Sequence, residues 1–111
     1  MKARTGPALV LFMALAPLVC AAADDEIARN LAANCSTCHG TNGNSAGGIP
    51  PSLAGRDRTE LVQIMKAFQA GSRPATIMQQ QAKGYADREI ELIAGFYAAQ
   101  KSSAACMPSK P

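Results

Sequence analysis

Apolar residues recur at three- and four-residue intervals in three stretches of the chain, and nothing alternates as a half-buried strand would. The first stretch, Asp24 to about Asn34, puts Ile27, Ala28 and Leu31 on one face and opens on acids suited to the positive end of a helix dipole. The second, with Leu61, Ile64, Met65 and Phe68, predicts a helix from Thr59, a plausible N-cap, to about Ala70. The last, with Ile90, Ile93, Ala94 and Tyr97, predicts a helix capped by Asp87 and running to about Lys101. Between these two, Gly71–Pro74 breaks the chain and a short helical turn is predicted over Thr76–Lys83, stopped at Gly84. The stretch from Gly40 to Gly55, rich in Gly, Asn and Pro, reads as irregular loop. The pattern predicts an all-α domain of three to four helices.

Ahead of these helices stand Met1-Lys2-Ala3-Arg4, an apolar run from Ala8 to Val19, and Cys20-Ala21-Ala22-Ala23. A basic start, an apolar stretch too short to span a bilayer and a small-residue end predict a secretory signal peptide over residues 1–23. The domain then covers 24–101, and a polar, proline-bearing tail, expected to fray, covers 102–111. Cleavage after Ala23 leaves 88 of the 111 residues and, by removing Lys2 and Arg4, lowers the net charge from +3 to +1. A near-neutral charge without a basic block argues against nucleic-acid binding as the main task, and no other run approaches a membrane span. Cys20 is expected to leave with the signal: acylation normally needs a small residue just ahead of the cysteine, and Val19 stands there. A domain of this length with few aromatics has a thin core and usually needs a staple.

The candidate staple is Cys35-Ser36-Thr37-Cys38-His39, the attachment sequence for c-type haem. Two thiols about one helical turn apart can add across two haem vinyl groups, and the next residue supplies an imidazole to the iron. Attachment of this kind takes place outside the cytoplasm in bacteria, in agreement with the signal peptide and a periplasmic location. The competing readings are weaker. A thioredoxin-like pair needs a strand and a sheet, a structural disulfide leaves His39 without a role, and zinc would find only Cys106 as a fourth ligand. His39 is the only histidine, so the sixth iron ligand must be methionine, another weak donor, water or nothing. Met1 and Met13 leave with the signal, Met65 falls on an apolar stripe, and Met107 lies in the tail. Met78 follows the Gly71–Pro74 break, far enough along the chain to reach the opposite haem face, and is the expected ligand. A His/Met pair favours ferrous iron and fills both axial positions, which suits a one-electron carrier and not a catalyst on its own.

At these residues the chain resembles the class I cytochromes c over essentially all of 24–101. It is most similar to the cytochrome subunit of flavocytochrome c sulfide dehydrogenase, with the cytochrome c4 and c5 groups nearby. The resemblance rests on Pro51-Ser52-Leu53-Ala54-Gly55, Lys66 to Gly71, Arg73 to Met78, Ala82 to Tyr85 and Ile90 to Tyr97. It implies a compact fold around one covalently attached haem c, with Cys35 and Cys38 in thioether links and His39 and Met78 as iron ligands. Pro51 would offer its carbonyl to the second ring nitrogen of His39, with Pro50 as runner-up. The implied partners are the flavoprotein subunit of a sulfide dehydrogenase, which would pass electrons singly to this haem, and a downstream redox protein. The alternatives are a free shuttle between respiratory complexes and, if Met78 does not bind iron, an open-site haem enzyme or gas sensor. Two features depart from the pattern: some relatives of this kind carry two haem domains, whereas this chain has one motif, and Cys106 is left as an odd cysteine. Arg56, Arg58, Lys66, Arg73 and Lys83 could ring a haem edge, although scattered basic residues are usually a solvated surface.

Overall fold

A computed structural model of the chain describes residues 16–103, which form four α-helices, one short 3-10 turn and no strand. The basic start of the predicted signal, most of its apolar run, Cys106 and Met107 lie outside the described residues. Helix α1 (Ala16–His39) is longer than predicted at both ends. It passes without a break through the expected cleavage point after Ala23, so Asp24, Asp25 and Glu26 lie within the helix, not at its start. At the other end it takes in the whole Cys35–His39 motif, because no glycine or proline intervenes before Gly40. Gly40 ends the helix at φ +85, where a Cβ would stand 2.0 Å from the Asn44 carbonyl oxygen.

Helix α2 (Arg58–Gln69) is capped by Asp57, not Thr59: the Asp57 carboxylate accepts the Glu60 N–H at 2.9 Å. A carboxylate at this position both satisfies an orphan amide and meets the positive end of the helix, which a neutral threonine two residues further in cannot do. The short α3 (Met78–Lys83) starts two residues later than predicted and stops at Gly84. In α4 (Asp87–Ala98) the cap position belongs to Ala86, whose N–H donates to the Glu89 carboxylate at 2.7 Å. That helix ends three residues before Lys101, where the Tyr97 carbonyl accepts from both Gly55 N (2.9 Å) and Gln100 N (3.1 Å).

The helices pack in sequence α1–α4–α2–α3, and α1 does not pack against α3 to any comparable extent. Ala32, Leu61, Ile93, Ala94 and Tyr97 form the central cluster, with Leu31, Cys35, Leu53 and Phe96 packed half-buried against it. The buried ladder on α1 is Ala28, Ala32 and His39, while Ile27, expected on that face, stays 41% exposed. The chain beyond α4 is pinned by Asn44, which donates to the Lys101 carbonyl (3.0 Å) and accepts from Ser103 N (2.6 Å). The predicted tail is therefore held at its first residues.

The loop after α1 crosses Tyr97 at Gly43. This residue has φ +77, and a Cβ on it would come within 2.6 Å of the Tyr97 ring and 2.9 Å of Ala54 N. Its carbonyl also accepts from Leu53 N (2.8 Å) and Ala54 N (3.1 Å), which fixes the segment leading away from Pro51. Gly43→Ala is expected to cost on the order of 1–3 kcal/mol through backbone strain and overpacking. In a domain this size that lowers the thermal midpoint by on the order of 10 °C, measurable by circular dichroism.

Candidate haem site

Cys35 and Cys38 stand three residues apart near the C-terminus of α1, so both thiols occupy one side of the helix. Cys35 is half-buried, Cys38 is exposed, and neither is in a disulfide. Burial pushes the Cys35 thiol up, partly offset by hydrogen bonding to the backbone. Cys20 lies fifteen residues earlier on the same helix, about 22 Å along its axis, and is not part of this cluster.

His39 is buried at 8% exposure, with Nδ1 2.7 Å from the carbonyl oxygen of Pro51. A carbonyl can only accept, so Nδ1 carries the proton and donates, and in a neutral imidazole the free lone pair is then on Nε2. An imidazole ligand needs this tautomer, held in a set orientation. The contact is made by Pro51 and not by Pro50.

Behind the motif, Tyr97 is 1% exposed and donates its hydroxyl to the Ala32 carbonyl at 2.6 Å. Its proton thus committed, the Tyr97 oxygen accepts from Ser36 Oγ at 3.0 Å. Ser36 lies between the two cysteines, so the α4 tyrosine holds the motif's own turn. The sequence marks Tyr97 only as a core residue, and nothing local marks Ser36. Burial, the largest cause, pushes the Tyr97 phenol up to about 12, with the neighbouring Cys35 adding and the Ser36 hydrogen bond opposing. Below about pH 10 the phenol is neutral in both folded and unfolded chains, and its contribution to stability is complete. As pH rises from about 10 to about 12 the unfolded chain ionises first, so stability is expected to fall by on the order of 2–3 kcal/mol. Chemical denaturation across that range, compared with Tyr97→Phe, measures it; a Tyr97→Phe protein with the same alkaline loss would refute the assignment.

Met78 opens α3 and is half-buried, and α3 packs on α2. The structure therefore joins His39 to Pro51 directly and carries Met78 on a different layer from the Cys35–His39 motif. Next to Met78, Gln79 Nε2 donates to the Arg73 carbonyl at 2.8 Å, and the Arg73 guanidinium lies over the Phe68 ring, 5.4 Å from its centre. Ile49 (91% exposed), two residues before Pro51, and Ile77 (57%), next to Met78, are exposed large apolar side chains. Among the described residues no group of three or more His, Cys, Asp or Glu could hold a metal ion, and no strand supports a thioredoxin-like pair. Of Arg56, Arg58, Lys66, Arg73 and Lys83, three are ion-paired, Arg56 with Glu60, Arg58 with Glu91 (2.9 Å) and Lys66 with Asp87, and Arg73 is the one on Phe68.

A family model described as "Cytochrome C oxidase, cbb3-type, subunit III" matches residues 22–96. The chain belongs to this cytochrome c family. Over 67 residues the cytochrome is 42% identical to the cytochrome subunit of sulfide dehydrogenase from Chlorobaculum tepidum, covering 60% of each chain. It is 36% identical over 84 residues to cytochrome c-554(548) of Halomonas halodenitrificans, covering 73% of this chain and 95% of that one. Cytochrome c4 of Pseudomonas aeruginosa is 34% identical over 95 residues, and this chain spans 47% of its length. Family and relatives together make the protein a monohaem c-type cytochrome that transfers electrons, with haem c covalently bound. The donor set fits that group: two free thiols one turn apart and a buried imidazole whose Nδ1 is committed to the Pro51 carbonyl. No helix among the described residues is long and apolar enough to cross a membrane.

Proposed function

We propose that this cytochrome is the haem subunit that accepts electrons one at a time from a sulfide-oxidising flavoprotein in the periplasm, and passes them to a downstream redox protein. When bound, the haem supplies a ferric/ferrous one-electron couple. Cys35 and Cys38 would hold it by thioether links, His39 Nε2 and the Met78 thioether would ligate the iron, and the Pro51 carbonyl accepts from His39 Nδ1 and so orients the ring for that role. A His39/Met78 pair would suit the group to one-electron transfer, the chain's residues serving to hold and orient it. The observation that carries the ligand set is the single histidine, buried and committed at Nδ1. The likeness to the sulfide dehydrogenase cytochrome subunit supports the partner. Lys2, Arg4, the apolar run and Ala21–Ala23 support export, with a mature chain starting at Asp24 inside α1.

A second reading is a free electron shuttle: the relative that this chain covers to 95% of its length is described as a cytochrome and not as a subunit. The native protein, run through size exclusion with haem and flavin absorbance recorded together, separates the two. Co-elution of both chromophores above the mass of a lone cytochrome, with sulfide-dependent reduction of the pooled fraction, is the expected result. Haem alone at the size of a small monomer, unreduced by sulfide when the flavoprotein fraction is added back, favours the shuttle.

A further inference from the structure

We propose that Gln69 is a positioning residue for Met78: its side-chain amide locks α3 to the end of α2 and thereby holds the methionine in place to ligate iron. The inference rests on the reading of Met78 as the axial ligand.

Helix α3 has six residues, about 9 Å of helix, far short of the roughly 12–15 residues at which an isolated helix becomes even marginal. Its N-cap, Ile77, supplies no side-chain hydrogen bond, its first turn has no acid, and Ala82 is its only fully buried residue. Its placement must therefore come from tertiary contacts, and the packing it has is on α2. Gln69, the last residue of α2, donates Nε2 to the Ala82 carbonyl at 3.0 Å and to the Tyr85 carbonyl at 2.8 Å. Both amide protons are used, and because both partners are carbonyls, only the nitrogen end of the amide can face them. One side chain thus grips the last turn of α3 and the residue just past Gly84. Helix α2 is itself anchored on α4, with Leu61 in the central cluster, so Gln69 refers the position of α3 to the core. At the other end Gln79 ties the first turn to the Arg73 carbonyl. Met78, the first residue of a short rod gripped at its far end, moves if that grip is released.

The test uses the full haem-loaded protein carrying Gln69→Leu, a replacement of similar length that can donate to neither carbonyl. The readouts are the sulfur-to-iron absorption band of the oxidised protein, the rate of carbon monoxide binding to the reduced protein, and the global thermal midpoint. Met78→Ala is run beside it. The expected result is that Met78→Ala lacks the band, while Gln69→Leu loses it at a lower temperature than wild type, well before global unfolding. Gln69→Leu should also bind carbon monoxide about tenfold faster, as loss of two neutral hydrogen bonds would raise the detached population. If Met78→Ala keeps the band, the ligand reading fails, and the Gln69 proposal with it. If Met78→Ala loses the band but Gln69→Leu matches wild type in band stability and carbon monoxide rate, only the Gln69 proposal fails. Should Gln69→Leu not fold, side-chain amide exchange in the unmodified protein decides: protected Gln69 protons support the lock, and exchange at the rate of free glutamine overturns it.

Discussion

Met78→Ala is expected to convert the cytochrome from a closed electron carrier into a protein that binds carbon monoxide readily when reduced and lacks the sulfur-to-iron band when oxidised. The effect is large because, among the described residues, no second histidine is available and the one other methionine is held within α2. His39 is the only histidine, and its second ring nitrogen is already bonded to Pro51. Met65 is half-buried within α2, where the packing of that helix holds it on an apolar stripe. Removing a thioether that favours the ferrous state should lower the reduction potential by on the order of 0.1–0.2 V, well inside the roughly 0.8 V over which axial ligands act. Redox titration beside the optical spectra measures this. A variant with the wild-type spectrum and potential would show that another group holds the sixth position.

The second large effect is on folding. In the Cys35→Ser/Cys38→Ser protein, haem is expected to be lost on denaturing electrophoresis and the chain to be largely unfolded at 25 °C. The reason lies in the composition of the core. Nine apolar residues are buried among the described residues, and five of them are alanines; Tyr97 and Ile90 are the largest side chains wholly removed from solvent. Each alanine contributes little apolar area, so the helices have too little to bury against one another for a stable small domain. Cys35 packs directly against the central cluster, and a covalent link there ties the cofactor to the same residues that hold α1 to α4. Circular dichroism together with haem staining reads both consequences. A double-serine protein with native helix content and a cooperative thermal transition would show that protein packing alone sustains the fold.

Much of this was legible along the chain. Leu61, Ile90, Ile93, Ala94 and Tyr97 follow the helical period, and they are the residues that α2 and α4 bury. Helix ends were less so. Thr59 and Asp57 are both acceptable caps by type, and the choice fell to the residue whose carboxylate reaches Glu60 N. Likewise Asp87 reads as a cap, yet Glu89 reaches back and leaves Asp87 as the first helical residue. Ile27 fits the apolar face of α1 by spacing but is left at its edge, because α4 packs over Ala28 and Ala32. The Pro51 contact was reached through resemblance to the class I cytochromes c; periodicity and composition carry no trace of it.

By itself the sequence determined the all-α class, the Cys-x-x-Cys-His motif and the exclusion of a second histidine ligand, because each is written in residue type and in spacing over a few positions. The tertiary structure alone decided which groups hold the motif, the chain beyond α4 and α3 in place: Tyr97 on Ala32 and Ser36, Asn44 on Lys101 and Ser103, and Gln69 on Ala82 and Tyr85. These bonds join residues from different helices and loops, and an individual serine, asparagine or glutamine has the same local signature whether or not a partner awaits it. Only the packing order α1–α4–α2–α3 brings such partners within 3 Å or so of each other.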